Sequence, residues 1–442
     1  ITSVLVLGFF KYSDFFISNV NSIFHTKISL LGLALPIGIS FYTFQTLSYT
    51  IDVYRGEAKV QKSFIRLATY VALFPQLIAG PIVRYTTVEE ELSNRKHSFE
   101  NFSYGVNRFI IGLGKKVLIA DTLYAMATSL HTMNEASVGG MWLYAISISL
   151  YTYFDFSGYS DMAIGLGRIF GFHFLENFNY PFISRNVAEF WRRWHISLGS
   201  WFRDYVYIPL GGNRVPVLRW MFNILVVWFL TGFWHGADWT FIVWGLYFAV
   251  FLVLEKFVLN KFFAKLPRFF SHIYVTIAIL ISFVIFHGVG MSGAISDLGS
   301  MFGAANLPFW SSETTYNLLS YIFVLIIAIV GATPLVKNAI LKLKEKAKAA
   351  QIAKEKAQAE EYAKKLGAVQ VTVRAKAGAN GKLFGAVTSQ EISDALKEQF
   401  GMDIEKNKIV QAEPIKSYGS YTVKAKLGYE ISGSINVLVV EG

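Results

Sequence analysis

Uncharged or nearly uncharged stretches of about 20 residues recur along the first three quarters of this 442-residue chain. A helix of that length crosses the roughly 30 Å of hydrocarbon in a lipid bilayer. The pattern therefore predicts an all-α polytopic membrane bundle. The predicted spans lie near residues 30–51, 67–83, 138–156, 220–237, 239–254, 273–295 and 315–336.

Two further apolar segments fit a membrane span less well. Residues 4–16 are short, and residues 105–126 carry Lys115 and Lys116, which suits an interfacial or bundle-facing helix. Internal prolines also interrupt the apolar part, and the backbone groups that they free must be satisfied by neighbouring protein. We therefore expect re-entrant segments around a cavity. These prolines are Pro36, Pro75, Pro81 and Pro209.

The composition restricts the class of protein and the chemistry available to it. With 53% hydrophobic and 16% aromatic residues, most of the chain is too apolar for a soluble domain. The net charge of +11 suits either nucleic acid or anionic lipid headgroups. Because the chain has no cysteine, a thiolate metal site and a cysteine acyl-enzyme are excluded. We expect no metal site, no bound cofactor and, since the chain begins at Ile1, further spans before it.

The sequence pattern changes at Pro334. Residues 342–365 form an Ala/Lys/Glu run that is typical of a solvated helix. Beyond Gly367 the pattern predicts a small soluble α+β domain. Its predicted elements are strands at 369–375, 421–427 and 435–440, a Gly-rich loop at 378–385 and a helix at 389–400. We divide the chain into a membrane domain (1–336), a charged linker helix (337–367) and an α+β domain (368–442).

The densest polar cluster within the apolar part lies between residues 154 and 214. Charges between spans are costly unless they pair or line water, so the cluster is a candidate site. An amphipathic loop with solvated charges is the alternative, because the interleaved tryptophans also suit an interfacial belt. The ionisable residues are Asp155, Asp161, Arg168, Glu189, Arg192, Arg193, His195, Arg203 and Asp204.

His235 lies near the end of an otherwise uncharged helix, between Gly232 and Gly236. A neutral imidazole can remove the proton of a hydroxyl as it attacks a thioester, and glycines let a substrate approach the backbone. The alternative is a histidine that is hydrogen-bonded within the bundle. His173 and His287 have weaker surroundings, and we assign them no role.

Two long motifs, EFWRRWHISLGSWFRDYVYIPLGG at residues 189–212 and LTGFWHGADWTFIVWG at residues 230–245, resemble those of the membrane-bound O-acyltransferases. The bacterial alginate O-acetyltransferase branch is the most similar. Segments at 34–56, 74–85 and 154–172 also match, in the order of the family. The resemblance covers about residues 1–336.

This resemblance implies roles for particular residues. His235 matches the family's essential histidine, in a tunnel where a cytoplasmic acyl donor meets an acceptor from the other side of the membrane. His195 matches the second histidine of this branch. We predict that His235 is the general base and that His195 positions donor or acceptor. The predicted substrate-binding or tunnel-lining residues are Trp191, Arg192, Arg193, Trp194, Trp234, Asp155 and Asp161.

The same branch implies O-acetylation of an exported polysaccharide such as alginate. The acyl donor, such as acetyl-CoA or an acyl carrier, would be a co-substrate, and an extracytoplasmic transferase partner would complete the modification. A sister branch transfers D-alanine toward teichoic acid, and the FWHG and RWH motifs do not separate the two. The implied location is the bacterial inner membrane, multi-pass and in contact with lipid, with the tail in the cytoplasm.

The tail suggests a function of another class. Its loop KAGANGKLFG at residues 376–385 spaces glycine and lysine too closely for a phosphate-binding P-loop. Residues 371–427 resemble instead the C-terminal domain of large-subunit ribosomal protein L-nine, and the preceding helix resembles its connector. The resemblance implies contact with ribosomal RNA through Lys376, Lys382 and Lys416. A ribosomal structural protein is therefore the alternative to a membrane enzyme. The combination of the two parts suggests that the ribosomal-protein-like tail is fused to the membrane domain.

Overall fold

The computed structural model describes residues 2–77, 80–304, 306–376, 378 and 382–442. The chain forms two compact units, residues 1–335 and 336–442. The first is helical, and the second combines two α-helices with small sheets. The predicted fold class, a helical membrane bundle followed by a long linker helix and a small α+β domain, is confirmed.

The first unit is built from helices of very different lengths. They are α1 (Thr2–Phe24), α2 (Ile39–Arg55), α3 (Phe64–Val71), α4 (Tyr85–Val88), α5 (Phe99–Gly114), α6 (Asp121–His131), α7 (Val138–Ile169), α8 (Val187–Arg193), α9 (Ile196–Phe202), α10 (Val217–His235), α11 (Trp239–Leu254), α12 (Asn260–Phe263), α13 (Arg268–His287), α14 (Gly290–Met301) and α15 (Ser312–Gly331). Segments of π-helix join α5 to α6, α9 to the turn that follows it, and α11 to α12. These segments are Lys115–Ala120, Arg203–Tyr207 and Glu255–Leu259.

Four helical stretches among the described residues are long and apolar enough to cross a bilayer. They correspond to the spans predicted at 220–237, 239–254, 273–295 and 315–336, and their existence is confirmed. The third ends earlier than predicted, because the chain turns at Gly288 and Gly290 before α14 begins. The four stretches are Val217–His235, Trp239–Phe263, Arg268–His287 and Ser312–Gly331.

Two predicted spans are wrong as continuous helices. Within 30–51, helix α2 begins only at Ile39, after Pro36 and Gly38, and Gly38 has a left-handed backbone with φ of 76°. Within 67–83, α3 ends at Val71 and a short 3-10 turn containing Pro75 follows. Both corrections have the same cause, because proline removes a helical hydrogen bond and disfavours helix in the residue before it. Residues 78 and 79 lie outside the described residues.

Helices α5, the π segment and α6 form one stretch along α7, which runs beyond the predicted 138–156 as far as Ile169. Close packing depends on glycine, because a Cβ at Gly112 would come within 2.5 Å of the Gly158 carbonyl oxygen. The two lysines of this stretch pair with carboxylates of α7. Lys115 pairs with Asp161 at 2.7 Å, and Lys116 pairs with Asp155 at 2.6 Å.

Helices α10 and α11 also pack through glycines. A Cβ at Gly232 would collide with the carbonyl of Phe241, and one at Gly245 would collide with the carbonyl of Trp228. Small residues thus bring the two backbones together, which is a common solution in membranes. Since His235 is the last residue of α10, this packing fixes the position of the histidine relative to α11.

The second unit begins with the long helix α16 (Leu335–Ala368), and α17 (Ser389–Phe400) packs in its small core. The strands are β1 (Gln370–Ala375), β2 (Lys382–Val387), β3 (Ile409–Val410), β4 (Ile415–Ser417), β5 (Gly419–Gly428) and β6 (Ile431–Glu441). One sheet has the order β1-β6-β5-β3, with β1 parallel to β6 and the other pairs antiparallel, and β2 pairs with β4. Residues 377 and 379–381 of the predicted Gly-rich loop lie outside the described residues.

Candidate functional site

The His235 ring is enclosed by aromatic side chains. The rings of Trp234 and Trp244 lie with centroids 5.1 Å away, and that of Phe286 lies 5.4 Å away, all edge to face. Neither ring nitrogen has a hydrogen-bond partner among the residues that the structure describes. The side chain is half-buried, so both nitrogens are available to a ligand.

His195 lies between α8 and α9 and is 2% exposed. Its Nδ1 lies 3.3 Å from Asn177 Oδ1, which also accepts hydrogen bonds from the backbone N–H and the hydroxyl of Ser197. Since the amide oxygen only accepts, Nδ1 carries the proton in this arrangement and Nε2 has the free lone pair. Burial lowers the pKa of His195 well below its usual range, and the nearby His235 lowers it further, so the ring is neutral at pH 7.

A cavity of about 660 Å³ opens next to His195. Its walls are mostly apolar, and three exposed cations, Arg192, Arg203 and Lys256, also line it. The other apolar and aromatic lining residues include Trp191, Trp220, Ile224, Val227, Trp228 and Leu252. An apolar pocket with a few cations suits a narrow, mainly apolar ligand that carries a negative charge at one end.

His235 does not line this cavity, but ring contacts between tryptophans connect the two. Trp191 and Trp228 line the cavity, with ring centroids 4.8 Å apart. Trp191 in turn lies 5.5 Å from Trp244, which contacts His235. The indole N–H groups of Trp191, Trp244 and Trp234 are buried and have no acceptor within the described part of the chain. Buried donors are normally satisfied, so the donors of Trp234 and Trp244, the two indoles that contact His235, suit a polar atom of a ligand or a water molecule.

Glu255 forms hydrogen bonds with the start of α8, the helix that carries cavity-lining residues. This carboxylate is 2% exposed and accepts hydrogen bonds from the backbone N–H groups of Val187 and Ala188, at 2.5 and 3.0 Å, and from the Tyr274 hydroxyl at 3.1 Å. Val187 and Ala188 are the first residues of α8, where N–H groups lack intrahelical acceptors and a negative charge is favourable. Glu255 therefore fixes α8, and with it Trp191. Glu255 is not among the residues predicted from the sequence, although a lone carboxylate in an apolar run is a usable signal.

The structure brings together only part of the predicted site. His195, Trp191 and Arg192 line the cavity, and Trp234 contacts both histidine rings. The other predicted residues do not line it within the described part of the chain. Arg193 pairs with Glu189, Trp194 is packed in the core, Asp155 pairs with Lys116, and Asp161 pairs with Arg108 and Lys115.

No group of three or more potential metal ligands occurs among the described residues. In the second unit, Lys376, Lys382 and Lys416 are all exposed. Lys382 lies opposite Ser417 in the β2–β4 pair, so Lys382 and Lys416 belong to neighbouring strands. Residues 357–441 match the family model of ribosomal protein L9, C-terminal domain.

Curated relatives match the first part of the chain. A protein of Azotobacter vinelandii named a probable alginate O-acetylase is 41% identical over 306 residues, which are 68% of this chain and 61% of that protein. A peptidoglycan O-acetyltransferase of Helicobacter pylori is 36% identical over 334 residues, covering 69% and 63%. A teichoic acid D-alanyltransferase of Bacillus subtilis is 34% identical over 278 residues, covering 59% and 67%. The chain thus spans about three fifths of the length of the first two relatives.

The family model of the membrane-bound O-acyltransferases matches residues 55–296, which include both histidines, the cavity and α10–α11. This match covers more than half of the chain. The chain therefore belongs to the membrane-bound O-acyltransferase family.

Proposed function

We propose that this chain transfers an acyl group, acetyl in particular, from a thioester donor toward a hydroxyl of an exported polysaccharide such as alginate. The family match and the relatives named as O-acetylases support this function. The observation that carries it is the state of His235. The two imidazole nitrogens have no partner among the described residues, and the same holds for the indole N–H groups of Trp234 and Trp244 beside the ring, which suits a base that meets its substrate there.

In the proposed reaction, His235 removes the proton of the acceptor hydroxyl as its oxygen attacks the thioester carbonyl. The new C–O bond forms, the C–S bond breaks, and the proton passes from the imidazolium to the leaving thiolate. The indole N–H groups of Trp234 and Trp244, which lack an acceptor among the residues the structure describes, are donors of the kind that stabilise the negative charge on the carbonyl oxygen in the transition state. His195, neutral and oriented by Asn177, acts as the positioning group with its free Nε2.

The cavity supports a particular kind of donor. Its apolar walls suit the arm of a phosphopantetheine thioester, and Arg192, Arg203 and Lys256 suit the phosphate. Acetyl-CoA and an acyl carrier protein both present this arm. The donor would enter from the cytoplasm, and an extracytoplasmic transferase partner would receive the acyl group on the other side of the inner membrane.

Transfer of D-alanine toward teichoic acid is the alternative within the family, and the relative from Bacillus subtilis supports it. For the tail we propose a cytoplasmic location and contact with ribosomal RNA through Lys376, Lys382 and Lys416. The match to the ribosomal domain and the exposure of these lysines support that second role.

The test is transfer of a labelled acyl group by membranes that carry the chain, compared with His235→Ala and His195→Ala. His97→Ala is the matched control, because His97 is exposed and distant in sequence from both motifs. Loss of a proton-transfer group costs about 10²–10⁴ in rate, so His235→Ala should lose nearly all transfer at equal protein level.

Wild-type membranes that transfer no label, from either acetyl or D-alanyl donors, would refute the proposed function. Full activity in His235→Ala would refute the base assignment. An acetyl label in the product, with none from D-alanine, would exclude the alternative.

A further inference from the structure

Helix α10 ends abruptly at His235. The next residue, Gly236, is extended, with φ of −167° and ψ of 162°. The last four carbonyl groups of a helix have no intrahelical N–H partner and need another donor. Hydrogen bonds from outside α10 must therefore satisfy the carbonyls just before His235.

Two neighbouring side chains of α1 supply these hydrogen bonds. The Tyr12 hydroxyl donates to the carbonyl oxygen of Phe233 at 2.5 Å, and the Lys11 ammonium donates to the carbonyl oxygen of Trp234. Both carbonyls belong to the last turn of α10, where a cation is also favoured by the helix dipole. A helix whose residues lie more than 220 positions earlier in the chain thus caps the end of the helix that carries His235.

The positions of both side chains are themselves fixed. Tyr12 is 4% exposed, and its ring stacks on that of Phe233 with centroids 4.0 Å apart. The Lys11 ammonium also donates to Ser40 Oγ at 3.0 Å and lies 5.7 Å from the centroid of the Trp234 ring. Packing and a second acceptor restrict these donors, so the contact is a built feature rather than a chance approach of an exposed lysine.

The same helix also holds the chain just after His235. Asn19 Oδ1 accepts a hydrogen bond from the Trp239 indole N–H at 3.0 Å, and the Phe15 and Trp239 rings lie 5.8 Å apart. Trp239 is the first residue of α11. Helix α1 therefore contacts the α10–α11 connection on both sides of His235.

From these contacts we infer that Lys11 and Tyr12 are positioning residues for His235. They fix the last turn of α10, so that the imidazole faces the reacting hydroxyl at a constant distance. The inference rests on the proposed function of His235. It concerns a helix that lies outside residues 55–296, the part matched by the family model.

The test uses Lys11→Met, Tyr12→Phe and the double variant, with kcat and the KM for the donor measured in membranes at equal protein level. Displacing a catalytic group by about 1 Å can cost about 10²-fold, so the double variant should lose between about 10-fold and 10²-fold in kcat. The KM for the donor should not change, because neither residue lines the described cavity. Lys11→Arg, which keeps a cationic donor, should restore much of the loss of Lys11→Met.

Two exposed positions provide matched controls, Lys27→Met and Tyr54→Phe, and both should behave as wild type. A second readout does not depend on activity. Hydrogen–deuterium exchange of residues 231–238 should be faster in the double variant, because the last turn of α10 frays without its cap.

The outcomes separate this inference from the proposed function. Wild-type kcat or unchanged exchange in the double variant, in a protein that His235→Ala inactivates, overturns the positioning role alone. Full activity in His235→Ala overturns the proposed function, and with it this inference. Tyr12→Phe removes only the hydroxyl and keeps the ring stacked on Phe233. If the double variant does not accumulate, this single variant tests the positioning role.

Discussion

Replacement of Glu255 by alanine should destabilise the first unit strongly. The substitution leaves two backbone N–H groups and the Tyr274 hydroxyl without their acceptor, in a place where the side chain is 2% exposed. Each buried donor without a partner costs about 1–3 kcal/mol. Partial rearrangement of α8 reduces the sum of these three terms, so we expect a loss of about 3–5 kcal/mol.

Glu255→Gln separates hydrogen bonding from simple loss of volume. Its amide oxygen can still accept from one N–H of α8, but its NH₂ group faces a second donor, so the loss should be smaller, about 1–2 kcal/mol. The assay is denaturant unfolding in detergent micelles, followed by tryptophan fluorescence, because Trp191 lies on α8 beside Trp228 and Trp244. The exposed Glu57→Ala is the control and should stay within about 0.5 kcal/mol of wild type. A Glu255→Ala protein that unfolds like the control would refute the reasoning.

Two further predictions concern pH and the tail. A hydrogen bond to Asp297 raises the pKa of His131, although partial burial opposes it. Because the folded pKa lies above the unfolded value of about 6.5, this contact stabilises fully below that pH and is lost as pH rises through the folded pKa. His131→Asn should remove that part of the pH dependence from unfolding curves, and an unchanged curve would contradict it. In the tail, Thr388 and Glu391 form a capping box at the start of α17, so Thr388→Ala should cost about 1 kcal/mol and speed deuterium exchange in that helix. Exchange equal to wild type would show that the cap contributes little.

Elements with a strong local pattern could be predicted from the sequence. The sequence predicts helix α17 at 389–400, and the structure has it at Ser389–Phe400, because its amphipathic pattern and its cap lie within a few residues of each other. The spans at α10 and α11 follow equally well from long apolar runs. The span predicted at 67–83 is wrong because Pro75 breaks the helix in spite of the apolar sequence around it. Apolar composition alone does not distinguish a membrane span from buried irregular backbone.

The candidate site can be predicted from the sequence only in part, because its contacts join segments that are distant along the chain. The two histidines could be selected from their motifs, and the motifs carried the family resemblance. Glu255 contacts Val187, 68 positions away, and Lys11 contacts Trp234, 223 positions away. No periodicity of the sequence encodes such pairs. The resemblance predicts that Asp155 and Asp161 bind substrate or line the tunnel, and the structure pairs both with lysines of the α5–α6 stretch, contacts that the sequence does not indicate.

The distribution of paired and unpaired polar groups gives the strongest physical argument for where the chemistry occurs. In a bundle surrounded by hydrocarbon, a charged group is tolerated when it has a partner. Asp161 satisfies this condition with Arg108 and Lys115, at 2.6 and 2.7 Å. Around His235 the opposite holds, because the ring nitrogens and the nearby indole N–H groups have no partner among the described residues. Unpaired donors of this kind lower stability by about 1–3 kcal/mol each. Two such donors, the indole N–H groups of Trp234 and Trp244, contact His235, and their lack of a partner in the described part of the chain is explained if that partner is a substrate present only during the reaction.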